Sequence, residues 1–281
     1  MLSLESKKRL EQFLLDDAGK GDVTGSLVPE RRGQFEIVAE DDCTLAGAEE
    51  AAYLFELAGA KARVVKSDGE SAKKGDVVLS CEGSNRQVFL AERTVLNVLA
   101  RMSGVATVCS QAAAIAAKAS GGKTMVAATR KTLPGFNDFD KKAARLGGAD
   151  SHRTNLSDMA LFKTNELAFF KSPKDAVDAA KKANGFSKKV ELEAANADEA
   201  VNAAVAGADI VMLDNFSIQN AKAAIAAVRA KSNCLIEISG GVNLENLAQF
   251  AALKPDFISM GLLTQKAPSK SFGINTVKLV K

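Results

Sequence analysis

The chain has 281 residues, 47% of them hydrophobic and 25% charged. That is enough to bury one large core or two modest ones, which excludes disulfide-stapled miniature and disordered classes. Its 37 Lys and Arg against 34 Asp and Glu leave a net charge of +3, too even for a generic binder of nucleic acid or of an anionic membrane.

One histidine, His152, excludes a zinc site built of several imidazoles. The four cysteines, Cys43, Cys81, Cys109 and Cys234, make no C-x-x-C pair and read as buried free thiols in a reducing cytoplasm. Met1 to Leu15 mixes Ser, Glu and Lys through its apolar positions. No apolar run is expected to approach bilayer length, so neither a signal nor a membrane helix is expected.

Up to about residue 85, the apolar stretches Phe35–Ala39 and Ala62–Val65 flank a helical pattern over Ala48–Leu57, which predicts a compact sheet with helices on one side. The segment Phe35–Gly47, with its paired Asp41 and Asp42, reads as an exposed hairpin turn. From Arg86 to Lys118 there is no proline, and apolar residues recur at helical spacing (Val88, Val95, Leu99), predicting one or two helices.

From Lys123 the rhythm changes. Short apolar runs at Met125–Ala128, Met159–Phe162, Val190–Ala194, Ile210–Leu213, Leu235–Ile238 and Phe257–Met260 alternate with helical patterns at Phe139–Leu146, Pro173–Ala183, Ala197–Ala206, Ile218–Ala230 and Leu244–Leu253. Six βα-like units in a row predict parallel strands covered by helices, most economically a closed or nearly closed TIM-like α/β barrel. An open doubly wound sheet would carry a Gly-rich first turn, and none is present.

In such a barrel the chemistry sits at the C-terminal ends of the strands. Those ends carry Arg130 and Lys131, then Lys163, Glu193, Asp214, Ser239-Gly240-Gly241 and Gly261. Arg130, Lys131 and Lys163, with His152 and Arg153 on the loop before the second run, predict a cationic pocket for a small molecule with more than one carboxylate or phosphate. Glu193 and Asp214 opposite suit a Mg²⁺-bound pyrophosphate or positive charge developing on a sugar ring. The glycine turns at Ser239–Gly241 and Gly261 suit a phosphate held by backbone N–H groups and a helix N-terminus. Between Arg130 and Lys163 lie seven Lys and Arg against four Asp, a local excess equal to the net charge of the whole chain.

Several blocks together resemble the quinolinate phosphoribosyltransferase family: Thr129-Arg130-Lys131-Thr132-Leu133-Pro134-Gly135, His152-Arg153, Leu161-Phe162-Lys163-Thr164-Asn165, Glu191-Leu192-Glu193, Leu213-Asp214-Asn215 and Ser239-Gly240-Gly241, with Gly21-Asp22-Val23-Thr24 and Glu92-Arg93 upstream. The resemblance implies an N-terminal α/β sandwich domain, residues 1–104 with the tail 268–281 packing back on it, and an α/β barrel over 105–267 with about six strands. It implies transfer of phosphoribosyl from phosphoribosyl pyrophosphate to quinolinate with decarboxylation, in NAD biosynthesis. Arg93 would reach the acid across a homodimer interface. Arg130, Lys131, His152, Arg153 and Lys163 would bind it. Lys131, Glu193 and Asp214 would act on phosphoribosyl pyrophosphate and its Mg²⁺, and Ser239, Gly240, Gly241 and Gly261 would bind the 5′-phosphate.

The chain departs from the family pattern at Phe136-Asn137-Asp138, Thr154-Asn155-Leu156 and Thr164-Asn165-Glu166. Two alternatives stay open. One is a paralogous pyrophosphorylase-like protein acting on another pyridine or heterocyclic acid. The other is a Schiff-base lyase of a phosphorylated sugar, using Lys131 or Lys163.

Overall fold

The computed structural model describes residues 2–280; Met1 and Lys281, at the outer ends of the expected domain ranges, lie outside the described residues. The chain folds into two compact units. The first comprises residues up to Ser110, Thr132–Gly148 and Lys266 onward; the second comprises Gln111–Lys131 and Ala149–Gln265.

In the first unit the strands are β1 (Arg32–Ala39), β2 (Cys43–Thr44), β3 (Lys61–Val64), β4 (Ser71–Ala72) and β5 (Val77–Ser84). The C-terminal strand Phe272–Leu279, β1, β5 and β3 form a four-stranded sheet in that order, antiparallel throughout. Side chains alternate along β1, so Phe35, Ile37 and Ala39 are buried while their neighbours are more open. The helix Ala48–Leu57 buries Ala51, Leu54 and Phe55. The hairpin expected over Phe35–Gly47 does not form: β1 pairs with β5 and the C-terminal strand, whereas β2 pairs with β4. Asp42 accepts from the Lys73 ammonium and the Lys74 amide, and Asp41 accepts from the Ser271 amide, so both of that segment's acids have structural partners.

The helix Asn137–Leu146, predicted among the barrel helices, groups with the first unit. Phe136 at its start stacks on Phe13 (5.8 Å) and packs on Phe139 (4.9 Å). Asp140, fully buried in the same helix, receives both Nε and a terminal nitrogen of Arg101 at 2.9 Å. Burial pushes the Asp140 carboxyl up and the guanidinium opposes that.

The segment Asn85–Ser120 is a single helix of 36 residues. By length and composition it has a stretch apolar enough to cross a membrane, which the sequence reading did not expect. Val95, Leu99, Met102, Val105 and Cys109 of that helix are buried within the protein, as in a core helix.

The second unit holds β6 (Met125–Ala127), β7 (Ala160–Phe162), β8 (Val190–Ala194), β9 (Ile210–Asp214), β10 (Leu235–Ser239) and β11 (Phe257–Ser259). Each lies within a residue of its predicted bounds. They form one six-stranded sheet in the order β6-β11-β10-β9-β8-β7, all parallel. The two edge strands are consecutive in the chain, the ordering of a barrel, and β6 also bridges in parallel to Asp150. Val190, Leu192, Val211, Leu213, Ile236 and Ile238 are fully buried, as in strands covered on both faces. The helices Pro173–Asn184, Ala197–Val205 and Ile218–Arg229 start at Ser172, Asn196 and Ser217, whose side chains accept from backbone N–H groups of the first turn. Each such cap stabilises its helix by about 1 kcal/mol.

Candidate active site

At the C-terminal ends of the strands of the second unit lies a cavity of about 570 Å³, the size of a small-molecule site. Of the residues singled out from the sequence, Arg130, Lys131, His152, Arg153, Lys163, Asp214, Ser239, Gly240, Gly241 and Gly261 all line it. Arg93 lies exposed on the helix Asn85–Ser120 in the first unit, and neither it nor Glu193 is in this lining.

The cationic side is built from two loops. Past β6, the Lys131 amide donates to Thr129 Oγ1 and the Lys131 carbonyl accepts from Thr264 Oγ1, which pins the backbone between Arg130 and the last turn. Before β7, His152 takes a left-handed φ of +54°, and its amide donates to Asp150 Oδ1 at 2.5 Å. The guanidinium that follows it, Arg153, is pushed down from its ordinary pKa, first by burial and then by the neighbouring charge of Arg130. Two cations held this close favour a ligand with more than one negative group.

Lys163 begins a short helix, and its ammonium lies 2.5 Å from Glu193 Oε2. Glu193 Oε1 accepts from both the amide and the hydroxyl of Thr164. Burial works against the charge on Glu193, but Lys163 and Thr164 outweigh it and hold the carboxyl below its usual range. Burial likewise opposes the charge on Lys163, and Glu193 prevails, raising its pKa. Asp214, at the end of β9, does line the cavity, and its Oδ2 accepts from Asn215 Nδ2.

The phosphate-type turn follows β10. Gly240 and Gly241 have φ of +81° and +65°, and a Cβ on Gly240 would come within 2.7 Å of the Asn215 backbone nitrogen. The helix after this turn starts at Leu247, later than predicted, and is short. The donors at the turn are therefore its own N–H groups rather than a helix terminus. At Gly261 a Cβ would meet the Lys131 side chain at 3.0 Å, so this glycine makes room for that lysine.

Two further carboxylates stand on the strands here, Glu237 in the cavity lining and Glu191 buried outside it. Glu237, in the middle of β10, accepts from His152 Nε2 at 3.0 Å, and Glu191 on β8 is fully buried. Both Glu191 oxygens and Glu237 Oε1 have no hydrogen-bond partner among the described residues. Burial first, and then Glu237, push the Glu191 carboxyl well above its usual pKa. Glu237 is not among the residues that strand-end position or the family resemblance singles out, although its strand carries a signal. A glutamate inside an otherwise apolar, doubly covered strand carries a burial cost that seldom persists without a task.

Residues 105–275 match the quinolinate phosphoribosyl transferase C-terminal domain, and residues 22–103 match the N-terminal domain of the same family. The chain belongs to the quinolinate phosphoribosyl transferase family. It is 39% identical over 261 residues to the probable nicotinate-nucleotide pyrophosphorylase (carboxylating) of Archaeoglobus fulgidus, a match covering 92% of this chain and 99% of that protein. To the corresponding Bacillus subtilis protein it is 33% identical over 272 residues, 96% of this chain and 92% of that one. Among solved structures it is similar to the nicotinate-nucleotide pyrophosphorylase from Francisella tularensis, with a TM-score of 0.90 and 30% identity over 96% of this chain and 95% of that one.

In this quinolinate phosphoribosyl transferase family member, the departures from the family pattern have local structural roles. Phe136 joins the aromatic cluster of the first unit. Glu166 accepts from the Lys163 amide, and Thr164 holds Glu193. Asp158 accepts from the amides of Thr154 and Asn155, and Asn155 accepts from Ser157.

Proposed function

We propose that the protein transfers the phosphoribosyl group of phosphoribosyl pyrophosphate to quinolinate, with loss of the carboxyl group next to nitrogen, giving nicotinate mononucleotide, pyrophosphate and CO₂. The observation that carries this reading is one cavity lined at once by Arg130, Arg153, Lys131 and Lys163, by Asp214, and by the Ser239–Gly241 turn. Those groups answer the three chemical parts of the reaction: a pyridine dicarboxylate, a sugar diphosphate and a phosphate monoester.

The two guanidiniums hold the acid's carboxylates and aim its ring nitrogen at the anomeric carbon. Asp214 faces the positive charge that develops on the ribose as pyrophosphate departs, and Lys131 faces the negative charge on the leaving group. The N–H groups of the Gly240-Gly241 turn take the 5′-phosphate. Asp214 would hold on the protein side the Mg²⁺ that enters with phosphoribosyl pyrophosphate, and the ion would supply positive charge for the leaving pyrophosphate. Glu193 fits that task poorly, because Lys163 and Thr164 occupy both its oxygens.

The Schiff-base alternative is disfavoured at Lys163. An amine paired with Glu193 and raised in pKa stays protonated, whereas such a nucleophile needs the free base. We further infer a cytoplasmic homodimer in which Arg93 completes the partner's site. The four cysteines are free and buried, and burial raises Cys81 and Cys109 to about 12, as suits inert thiols in a reducing compartment. The test is to incubate the purified protein with quinolinate, phosphoribosyl pyrophosphate and Mg²⁺. Nicotinate mononucleotide is the expected product, and turnover of another pyridine acid with quinolinate inert would overturn the substrate assignment.

A further inference from the structure

His152 is the only histidine of the chain, and the family resemblance assigns it to the acid substrate. Its hydrogen bonds point to a different task. The Arg153 amide donates to His152 Nδ1 at 2.7 Å, so Nδ1 presents a lone pair there and not a proton. The ring proton then sits on Nε2, which donates to Glu237 Oε2 at 3.0 Å. Glu191 Oε2 lies 3.6 Å from the same nitrogen, beyond hydrogen-bond range. Both ring nitrogens are thus engaged inside the protein, and neither is left to meet a ligand carboxylate.

The same contacts hold the backbone. His152 has a left-handed φ of +54°, a conformation costing a non-glycine residue about 1–2 kcal/mol. Three hydrogen bonds keep it there: its amide to Asp150, its Nε2 to Glu237, and the Arg153 amide to its Nδ1. Strain of this kind gathers at binding and catalytic sites, and here one of the bonds that holds it is made by the neighbouring residue's amide. That neighbour is Arg153.

We propose that His152 is a positioning residue acting through Arg153: Glu237 locks the imidazole, the imidazole locks the Arg153 amide, and the guanidinium rather than the imidazole meets a substrate carboxylate. The identity of that substrate rests on the reading of the function given above; the role of the ring does not. The charged groups facing His152 are Asp150 and Arg153 on its own loop, Glu191 on β8 and Glu237 on β10.

The same three side chains could be read as a metal site, since ligand atoms of His152, Glu191 and Glu237 all lie within 4.8 Å of one another. The hydrogen bonds oppose it. A metal-ligating histidine donates its other ring N–H outward, but here that nitrogen faces the Arg153 N–H. Coordination at Nε2 would require either a ring anion or loss of the bond that holds Arg153.

With one histidine in the chain, ¹⁵N-histidine labelling gives a single pair of imidazole nitrogens, which NMR reads without mutagenesis. The expected result in the free protein is a proton on Nε2 and a bare Nδ1 accepting from the Arg153 amide, unchanged when quinolinate saturates the site. A ring protonated on both nitrogens, or on Nδ1, in either state would overturn the positioning role. A protein with the expected tautomer that binds no quinolinate would instead overturn the functional reading. In kinetics, Glu237→Leu should raise the KM for quinolinate, yet add less than about twofold to the loss in Arg153→Ala, because the two act on one group. Losses that multiply independently would contradict the coupling.

Discussion

Alanine at Gly240 and at Gly241 should have unequal effects, and the inequality tests the phosphate turn. Both residues have positive φ, +81° and +65°, so alanine at either position carries the left-handed penalty of about 1–2 kcal/mol. They differ in what a Cβ would meet. At Gly241 nothing lies within 4 Å, whereas at Gly240 the Cβ falls 2.3 Å from Asn215 Oδ1 and 2.7 Å from the Asn215 backbone nitrogen. The side-chain oxygen can rotate aside, but the backbone nitrogen cannot, since it donates to the Ser239 carbonyl at 2.9 Å. The ends of β9 and β10 must therefore move apart, an overpacking cost of about 1–3 kcal/mol more. Gly241→Ala should lower kcat/KM for phosphoribosyl pyrophosphate by about 5- to 30-fold if all its strain falls on the bound state, and Gly240→Ala by about a further 5- to 150-fold. Initial rates at varied phosphoribosyl pyrophosphate, with thermal melting run in parallel to detect a global loss of fold, make the comparison. If Gly240→Ala is no worse than Gly241→Ala, the turn is not held against Asn215 as described.

Other expectations follow from the same geometry. Arg130→Ala should raise the KM for quinolinate about 10- to 150-fold, the loss of one charge-assisted bond, and an unchanged KM would contradict the cationic pocket. Arg101→Leu strands the buried Asp140 carboxylate at a cost of about 3–5 kcal/mol, a melting drop on the order of 10 °C; adding Asp140→Leu should restore much of it, and equal losses in the single and double variants would refute the pairing. Because the folded state holds the Glu191 proton more tightly than the unfolded chain does, the contribution of Glu191 is full below the ordinary glutamate pKa of about 4.3 and is lost as pH rises toward its elevated folded value. Glu191→Gln should therefore gain on wild type by up to about 1.4 kcal/mol per pH unit across that window, seen as a pH-dependent difference in unfolding midpoint; a constant difference would contradict it. Finally, inactive Arg93→Ala and Lys131→Ala proteins, mixed after mild dissociation, should regain activity if each site takes Arg93 from its partner, and no recovery in a mixed dimer would count against that arrangement.

Strand bounds in the second unit were readable because both-face burial leaves short, largely apolar runs even where a glutamate interrupts β8 and β10, and the Ser and Asn caps mark where the helices start. The strand-end rule then located eight cavity residues, and the loop before the second barrel strand added His152 and Arg153. What stayed hidden depended on contacts distant in sequence. The partner of Glu193 is Lys163, thirty residues away, so a residue read as a ligand for Mg²⁺ turns out to be engaged by the protein itself. The helix Asn137–Leu146 sits in sequence between two barrel strands but packs through Phe136 and Phe139 on Phe13, a pairing that periodicity cannot show. Glu237 was obscured by its own strand, whose pattern shows burial but not the His152 ring that makes burial of a carboxylate tolerable.

The central claim is one cavity that joins a ribosyl transfer to a decarboxylation, and it is tested most directly with quinolinate ¹³C-labelled in the carboxyl group next to nitrogen. With phosphoribosyl pyrophosphate and Mg²⁺, labelled CO₂ and pyrophosphate should appear in equal amounts, with nicotinate mononucleotide as the nucleotide product. Pyrophosphate released without labelled CO₂, or no release of either at high protein concentration, would contradict the account.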